Sequence, residues 1–246
     1  MPHRAFTLEQ LAAYLHISRD AAERLVRETD IPHAQRGGRL LFQRGEIDAW
    51  ASQRILGMPD KRLDAYHEQS MRGTREIFPD DALIPQLLAP GSIDLALTSK
   101  TKASVLRDLV KLGERTGHVL DSKELLGSMQ EREALGSTAL PGGIALLHAR
   151  HHAEYRFDTS FLALGRTVQA VPFGAPDGQP TQIFFLIGCE DERIHLHTLA
   201  RLCLLAVKTK VIDRLFEVET ADEAYDVLVT AEQQVLPGGR KPKAEG

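Results

Sequence analysis

Residues 132–148 read Arg-Glu-Ala-Leu-Gly-Ser-Thr-Ala-Leu-Pro-Gly-Gly-Ile-Ala-Leu-Leu-His. The Arg132-Glu133 pair leads into a Gly136-Ser137-Thr138 turn, then a Gly142-Gly143 loop. A short apolar strand from Ile144 to Leu147 follows and delivers His148 at its end. A histidine there is expected to be held out of the core, with its imidazole in reach of a partner. Near pH 7 imidazole is mostly neutral, so one ring nitrogen keeps a lone pair and can act as a nucleophile. The guanidinium of Arg132 supplies charged donors for an anion.

Other chemistry-bearing residues are fewer. His195 lies three positions beyond the acidic run Glu190-Asp191-Glu192. His151 and His152 extend a histidine cluster, yet there is no partnered cysteine or His-Glu pattern at zinc spacing, so no metal site and no cofactor are expected. His197 reads as an exposed helix residue. Cys189 and Cys203 sit in apolar surroundings without metal or redox spacing and read as buried thiols of a reducing compartment. With no charged-apolar-small leader and no apolar run long enough to span a bilayer, a cytoplasmic protein without membrane insertion is expected.

The elements that must position these residues fall into two parts, and two domains are the better expectation for 246 residues. Hydrophobic residues make up 43% and charged ones 26%, enough apolar material for real cores. The formal net charge of −4 argues against a general polyanion binder but leaves room for a local basic face. In residues 1–56, Thr7 and Gln10 form a capping-box pattern ahead of Leu8, Leu11, Ala12 and Leu15 at helical spacing. Ser18 caps a second helix that runs to about Glu28, with Ala22, Leu25 and Val26 inward. Arg36-Gly37-Gly38-Arg39 is a tight turn before Leu40-Leu41-Phe42, which predicts a small hairpin. Glu46 to Arg54 predicts a third helix with Ile47 and Trp50 on its apolar side. Residues 57–84 read as a linker, either a solvated spacer or a short dimerisation helix with Leu63, Tyr66 and Met71 as its stripe. From about 85 to 235 the pattern alternates strand and helix. Strands are expected at 93–97, 144–147, 167–171 and 183–188, and helices at 104–116, 122–131, 193–208 and 221–233. Residues 236–246 lack periodicity and are expected to be a disordered tail.

Helix, turn, helix, hairpin wing, helix is the order of a small DNA-binding module. The residues Thr-Leu-Glu-Gln-Leu-Ala, Ile-Ser-Arg, Arg-Leu-Val-Arg, Arg-Gly-Gly-Arg and Glu-Ile-Asp-Ala-Trp, in that order, resemble the excisionase/MerR-like winged helix-turn-helix family. The resemblance implies DNA contacts by Ser18, Arg19, Arg24 and Arg27 on the second helix, and by Arg36 and Arg39 at the wing. Residues 1–56 hold eight arginines and no lysine against seven acids. One copy should therefore bind weakly, and binding would need a dimer or several sites. A helix-turn-helix used as a protein-binding unit is the alternative.

The second part resembles the enzyme IIA domains of the bacterial phosphotransferase system, of the fructose/mannitol and nitrogen-regulatory type. The likeness rests on Arg132-Glu133 with Gly136-Ser137-Thr138, and on the strand ending in His148. It extends to Phe173-Gly174-Ala175-Pro176-Asp177-Gly178-Gln179-Pro180, and to His195-Leu196 followed by Leu199-Ala200-Arg201-Leu202. It implies that His148 accepts a phosphoryl group from the phosphocarrier HPr and that His195 hydrogen-bonds the phosphoryl oxygens. Arg132 would supply positive charge to that group or to the docking surface. Leu147 departs from the family, which usually has proline immediately before the active histidine.

An α/β protein is thus expected, a small winged helix-turn-helix domain followed by a layered domain with a mixed sheet flanked by helices. The leading functional expectation is a DNA-binding regulator coupled to the sugar phosphotransferase system. The alternatives are a phosphoryl relay from HPr to an enzyme IIB, which would make it a phosphotransferase, and a docking module that is not phosphorylated. Expected partners are HPr, DNA, an enzyme IIB and a second copy of the chain.

Overall fold

The computed structural model describes residues 5–78, 81–150 and 157–236. His151 and His152 lie outside the described residues, as does the expected disordered tail apart from Leu236.

The first part is built as its capping signals direct. Strand β1 (Ala5–Phe6) leads into helix α1 (Leu8–Tyr14), where Thr7 and Gln10 close a reciprocal capping box. Ser18 caps α2 (Arg19–Glu28) by accepting from the Ala21 amide. Strands β2 (Ala34–Arg36) and β3 (Arg39–Gln43) form the wing, joined by Gly37 and Gly38, both at positive φ. Two such residues in a row make a two-residue turn matched to strand twist, which is why glycine stands at both. Strand β3 also pairs with β1, giving a three-stranded antiparallel sheet. Helix α3 (Arg44–Leu56) closes the unit.

Gly57-Met58-Pro59 separates α3 from α4 (Asp60–Thr74). Leu63 and Met71 are buried in α4, together with His67, Ser70 and Thr74. The stripe read as solvated or as a dimer contact is therefore spent inside the chain, on helix α8. The burial has a polar reason as well as an apolar one. Arg201 of α8 donates from Nε to His67 Nε2 at 2.6 Å, and Ser70 Oγ meets His197 Nδ1 at 2.7 Å. His197, expected at the surface, is buried in a stack against His67 with ring centroids 5.2 Å apart.

The second part follows as α5 (Ile84–Leu87), β4 (Leu88–Leu97), α6 (Lys102–Glu114), α7 (Ser122–Leu135), β5 (Ala139–Leu140), β6 (Ile144–His148), β7 (Phe161–Val171), β8 (Thr181–Gly188), α8 (Glu192–Lys208), α9 (Val211–Glu217) and α10 (Ala221–Val235). The sheet order is β4-β7-β8-β6-β5, with parallel pairs β4/β7 and β6/β8 and antiparallel pairs β7/β8 and β5/β6. This is the expected mixed sheet flanked by helices.

Strand alternation sorts the side chains into two layers. Ile144, Leu146, Ile183, Phe185 and Ile187 share one core with α8, α10 and the buried residues of α1 and α3. Ala145, Leu147, Phe184 and Leu186 share the other with α6 and α7. Beneath α8, a buried ion pair joins Arg201 Nη1 to Glu232 Oε1 of α10 at 2.5 Å. Glu232 also accepts the amides of Leu83 and Ile84 at 2.9 and 3.0 Å, which ties the start of the second part to its last helix. No described helix is long and apolar enough to cross a membrane.

Candidate functional site

Helix α7 starts on an Asp121 cap and ends at Gly136, whose φ of +154° turns the chain out of the helix. Arg132 in the last turn reaches forward, and its Nη1 donates to the Gly136 carbonyl at 3.0 Å. Glu133 faces the next turn. Its Oε1 accepts the Thr138 amide at 3.0 Å and the Thr138 hydroxyl, and its Oε2 pairs with Lys102 Nζ at 2.8 Å. Ser137 Oγ donates to the Phe173 carbonyl at 2.7 Å, and Lys102 Nζ sits 4.5 Å from the Phe173 ring centre. The loop from Phe173 to Pro180 is thereby fastened to the turn that leads into β5 and β6. These bonds are the physical reason for the Arg-Glu, Gly-Ser-Thr and Phe-Gly segments. They hold the end of α7 against the end of β6, where His148 stands.

Two hydrogen bonds fix the state of His148. Arg132 Nε donates to Nε2 at 3.0 Å. A guanidinium has no acceptor to offer, so Nε2 must carry the lone pair. The proton is then on Nδ1, which donates to the Leu146 carbonyl at 2.9 Å. The imidazole is neutral, and its nucleophilic atom points at Arg132. Burial pushes the Arg132 guanidinium down from its usual value, opposed by the negative charges of Glu133 and Asp48. Its Nη2 is buried and has no acceptor among the described residues.

His195, on α8, lies beside His148 with ring centroids 4.8 Å apart. The three residues singled out from sequence, His148, His195 and Arg132, therefore come together. The expectation that His148 is held out of the core is overturned. His148 is 2% exposed and His195 0%, and α3 of the first part reaches the pair at His195. Ser52 Oγ meets His195 Nε2 at 3.3 Å, and Asp48 Oδ1 stands 4.0 Å from the same nitrogen. Asp48 also accepts from Tyr14 Oη at 2.6 Å. A Cβ on Gly136 would stand 3.1 Å from Gln53 Nε2, so the bare backbone there admits α3 closely.

Asp48, Ser52 and Gln53 were missed in the sequence. The signal was present in part, since Asp48 and Ser52 are four apart and border the inward positions Ile47, Ala51 and Ile55. Leu147 packs in the layer opposite to His148, opposite Leu186 in the β6/β8 register. Where the resemblance led to the expectation of a proline, this chain has a residue of the sheet core. Among the described residues no group of three His, Cys, Asp or Glu side chains is placed to hold a metal ion.

The residues read as a DNA face lie elsewhere. Arg19, Arg24 and Arg27 are exposed along α2, and Ser18 is spent in capping that helix. Arg19 pairs with Glu9 and Glu23, both at 3.4 Å, which offsets part of its charge. Arg36 and Arg39 face one another across the wing turn and are exposed. These arginines are exposed among the described residues, while α3 of the same domain reaches the histidine pair at His195.

Residues 86–230 match the family model for the phosphoenolpyruvate-dependent sugar phosphotransferase system, EIIA 2, and residues 5–55 match that for a helix-turn-helix domain. The chain is 28% identical over 148 residues to the nitrogen regulatory protein of Pseudomonas aeruginosa, covering 59% of this chain and 94% of that protein. It is 29% identical over 147 residues to the fructose-specific EIIABC component of Bacillus subtilis, a match that spans 59% of this chain and only 23% of that larger protein. Among solved structures, the nitrogen regulatory protein IIA-Ntr from Neisseria meningitidis superposes with a TM-score of 0.54 at 29% identity, over 60% of this chain and 99% of that one. The chain belongs to the EIIA type 2 family of the sugar phosphotransferase system, with a helix-turn-helix domain joined ahead of its EIIA domain.

Proposed function

We propose that His148 accepts a phosphoryl group from phospho-HPr and that the helix-turn-helix domain carries this state to DNA in the cytoplasm. The observation that carries the reading is the bond from Arg132 Nε to His148 Nε2, with Nδ1 tied to the Leu146 carbonyl. In the transfer, the donor's N–P bond breaks as a bond from Nε2 to phosphorus forms, and the donor imidazole leaves with its electron pair. The Nδ1 proton stays on His148 against Leu146. Such a transfer depends on positioning and on meeting the phosphoryl charge. Arg132 and His195 stand where they can meet it. Arg132 slides from the nitrogen it now bonds to a phosphoryl oxygen, and its Nη2 takes another.

A second reading is favoured by the likeness to the fructose-specific EIIABC component. In it the phosphoryl group passes on from His148 to an enzyme IIB on another chain, and the helix-turn-helix domain serves another purpose. The test begins with phosphoenolpyruvate, enzyme I, HPr and the full chain, with His148→Ala as control. Acid-labile label that is present in the wild type and absent in the variant is expected. Label persisting in His148→Ala would sink the assignment, and no label on either chain would make the domain a docking module. Chasing the label with purified enzyme IIB separates relay from regulator.

A further inference from the structure

We infer that helix α3 of the helix-turn-helix domain is an internal plug on the phosphoacceptor site, so that phosphorylation of His148 and seating of α3 exclude one another. The inference rests on the phosphoacceptor reading of His148 and adds to it how access is controlled. Three observations carry it. Both site histidines are covered in this arrangement, and Ser52, itself 0% exposed, is in contact with His195. The plug also brings a carboxylate. Asp48 is 5% exposed, lies 4.0 Å from His195 Nε2 and acts on the Arg132 charge, so it faces the donors that a phosphoryl group would use. Gly136, at the turn that Arg132 holds, has no side chain to keep Gln53 away.

An incoming phosphocarrier must bring its own histidine to Nε2 of His148. With α3 seated, both site histidines are buried. Once formed, the phosphoryl group on His148 carries close to two negative charges in the site that the Asp48 carboxylate faces, and like charges out of water repel strongly. The exclusion is reciprocal, as linkage requires: whatever lifts α3 speeds phosphorylation, and phosphorylation lifts α3. The chain has a place to bend. Gly57-Met58-Pro59 joins α3 to α4, while α4 is anchored on α8 through His67, Arg201 and a Lys208–Asp64 pair of 2.8 Å. The first domain can therefore lift away while α4 stays in place.

The test uses the full chain as wild type, Ser52→Trp and Asp48→Ala. The first variant wedges the contact, and the second removes the carboxylate, and with it the Tyr14 hydrogen bond, without adding bulk, which guards against disruption by the larger side chain. Diethyl pyrocarbonate modification is followed histidine by histidine by mass spectrometry, and phosphoryl uptake from phospho-HPr is measured in parallel. Modification of His148 and His195 is expected to be faster in the variants by about tenfold or more, with phosphoryl uptake rising in step. His67 and His197, under α4, should stay protected in all three chains. Equal modification of His148 and His195 in all three, with His67 and His197 protected, overturns the plug whatever the phosphoryl result. Faster modification without uptake by any chain keeps the plug as a covered surface and removes the phosphoacceptor reading of His148 instead.

Discussion

Arg132 Nε stands 3.0 Å from Nε2 of His148, and this one bond both sets the imidazole's tautomer and occupies its lone pair. The same guanidinium closes the end of α7 on the Gly136 carbonyl and keeps a buried donor in reserve. Three nitrogens thus meet the helix end, the His148 lone pair and, in the proposed transfer, an incoming anion. Lysine has no geometry that does all three.

Replacing Arg132 by Lys should therefore preserve a charge and lose the function. Phosphoryl uptake from phospho-HPr is expected to fall by about a hundredfold, the usual cost of removing an oriented donor to developing charge. Near-ultraviolet circular dichroism should show the fold retained. Uptake within about twofold of wild type would take Arg132 out of the chemistry and leave it a helix cap.

The pair between Arg201 and Glu232 makes a separate claim about stability. Glu232→Gln keeps the volume and removes the charge that balances a buried guanidinium. Breaking a buried pair from one side costs about 3–5 kcal/mol, since the remaining charge stays out of water. Urea unfolding should show a loss of that size. A loss under about 1 kcal/mol would mean that the His67 and Asp81 contacts suffice for Arg201.

Much of this was legible in the sequence, for identifiable reasons. Capping residues Thr7 and Ser18 marked helix starts, and the apolar run at Ile183–Ile187 marked a central strand. The sequence also singled out His148, His195 and Arg132, which the fold brings together. What could not be read was anything that depends on how the two parts meet. His197 looked exposed because its partners, His67 and Ser70, come from a segment with few apolar residues. The burial of α4 was hidden because its inward face is largely polar, with His67, Ser70 and Thr74 satisfied by hydrogen bonds rather than by apolar packing. Asp48 and Ser52 carry no local signal for a partner more than eighty residues downstream in sequence. Short-range periodicity holds no information about such contacts.

The buried histidines predict a pH response. Burial, with the Arg201 charge adding to it, pushes His67 down to about 3, and burial pushes His197 well below its ordinary value. An unfolded chain would bind protons on these groups near pH 6.5. The unfolded state therefore holds more protons between that value and about 3. Stability is complete above the ordinary histidine range and falls as pH drops through it, by about 1.4 kcal/mol per unit for each such group. Urea midpoints between pH 7 and 5 should fall in the wild type. His67→Gln, whatever its stability at pH 7, should lose about 1.4 kcal/mol per unit less. Parallel slopes for the two chains would show that His67 is not a source of the loss.

The wing offers the test of the DNA face. Arg36 and Arg39 pair across the Gly37-Gly38 turn and are exposed, so their loss should leave the core untouched. If they hold phosphates, the double variant Arg36→Ala, Arg39→Ala should bind duplex DNA more weakly across all sequences. Its log affinity should also depend less on log salt, by roughly one for each phosphate contact removed. Arg27→Ala on α2 should instead alter preference between sequences if that side chain reaches a base edge. The acids Asp20 and Glu23 on the same helix are expected to keep single-copy affinity low, so the measurement belongs at low ionic strength, where each contact counts most. Affinity and salt slope unchanged by the wing substitutions would leave the domain a protein-binding unit, whose visible partner is the EIIA site beneath α3.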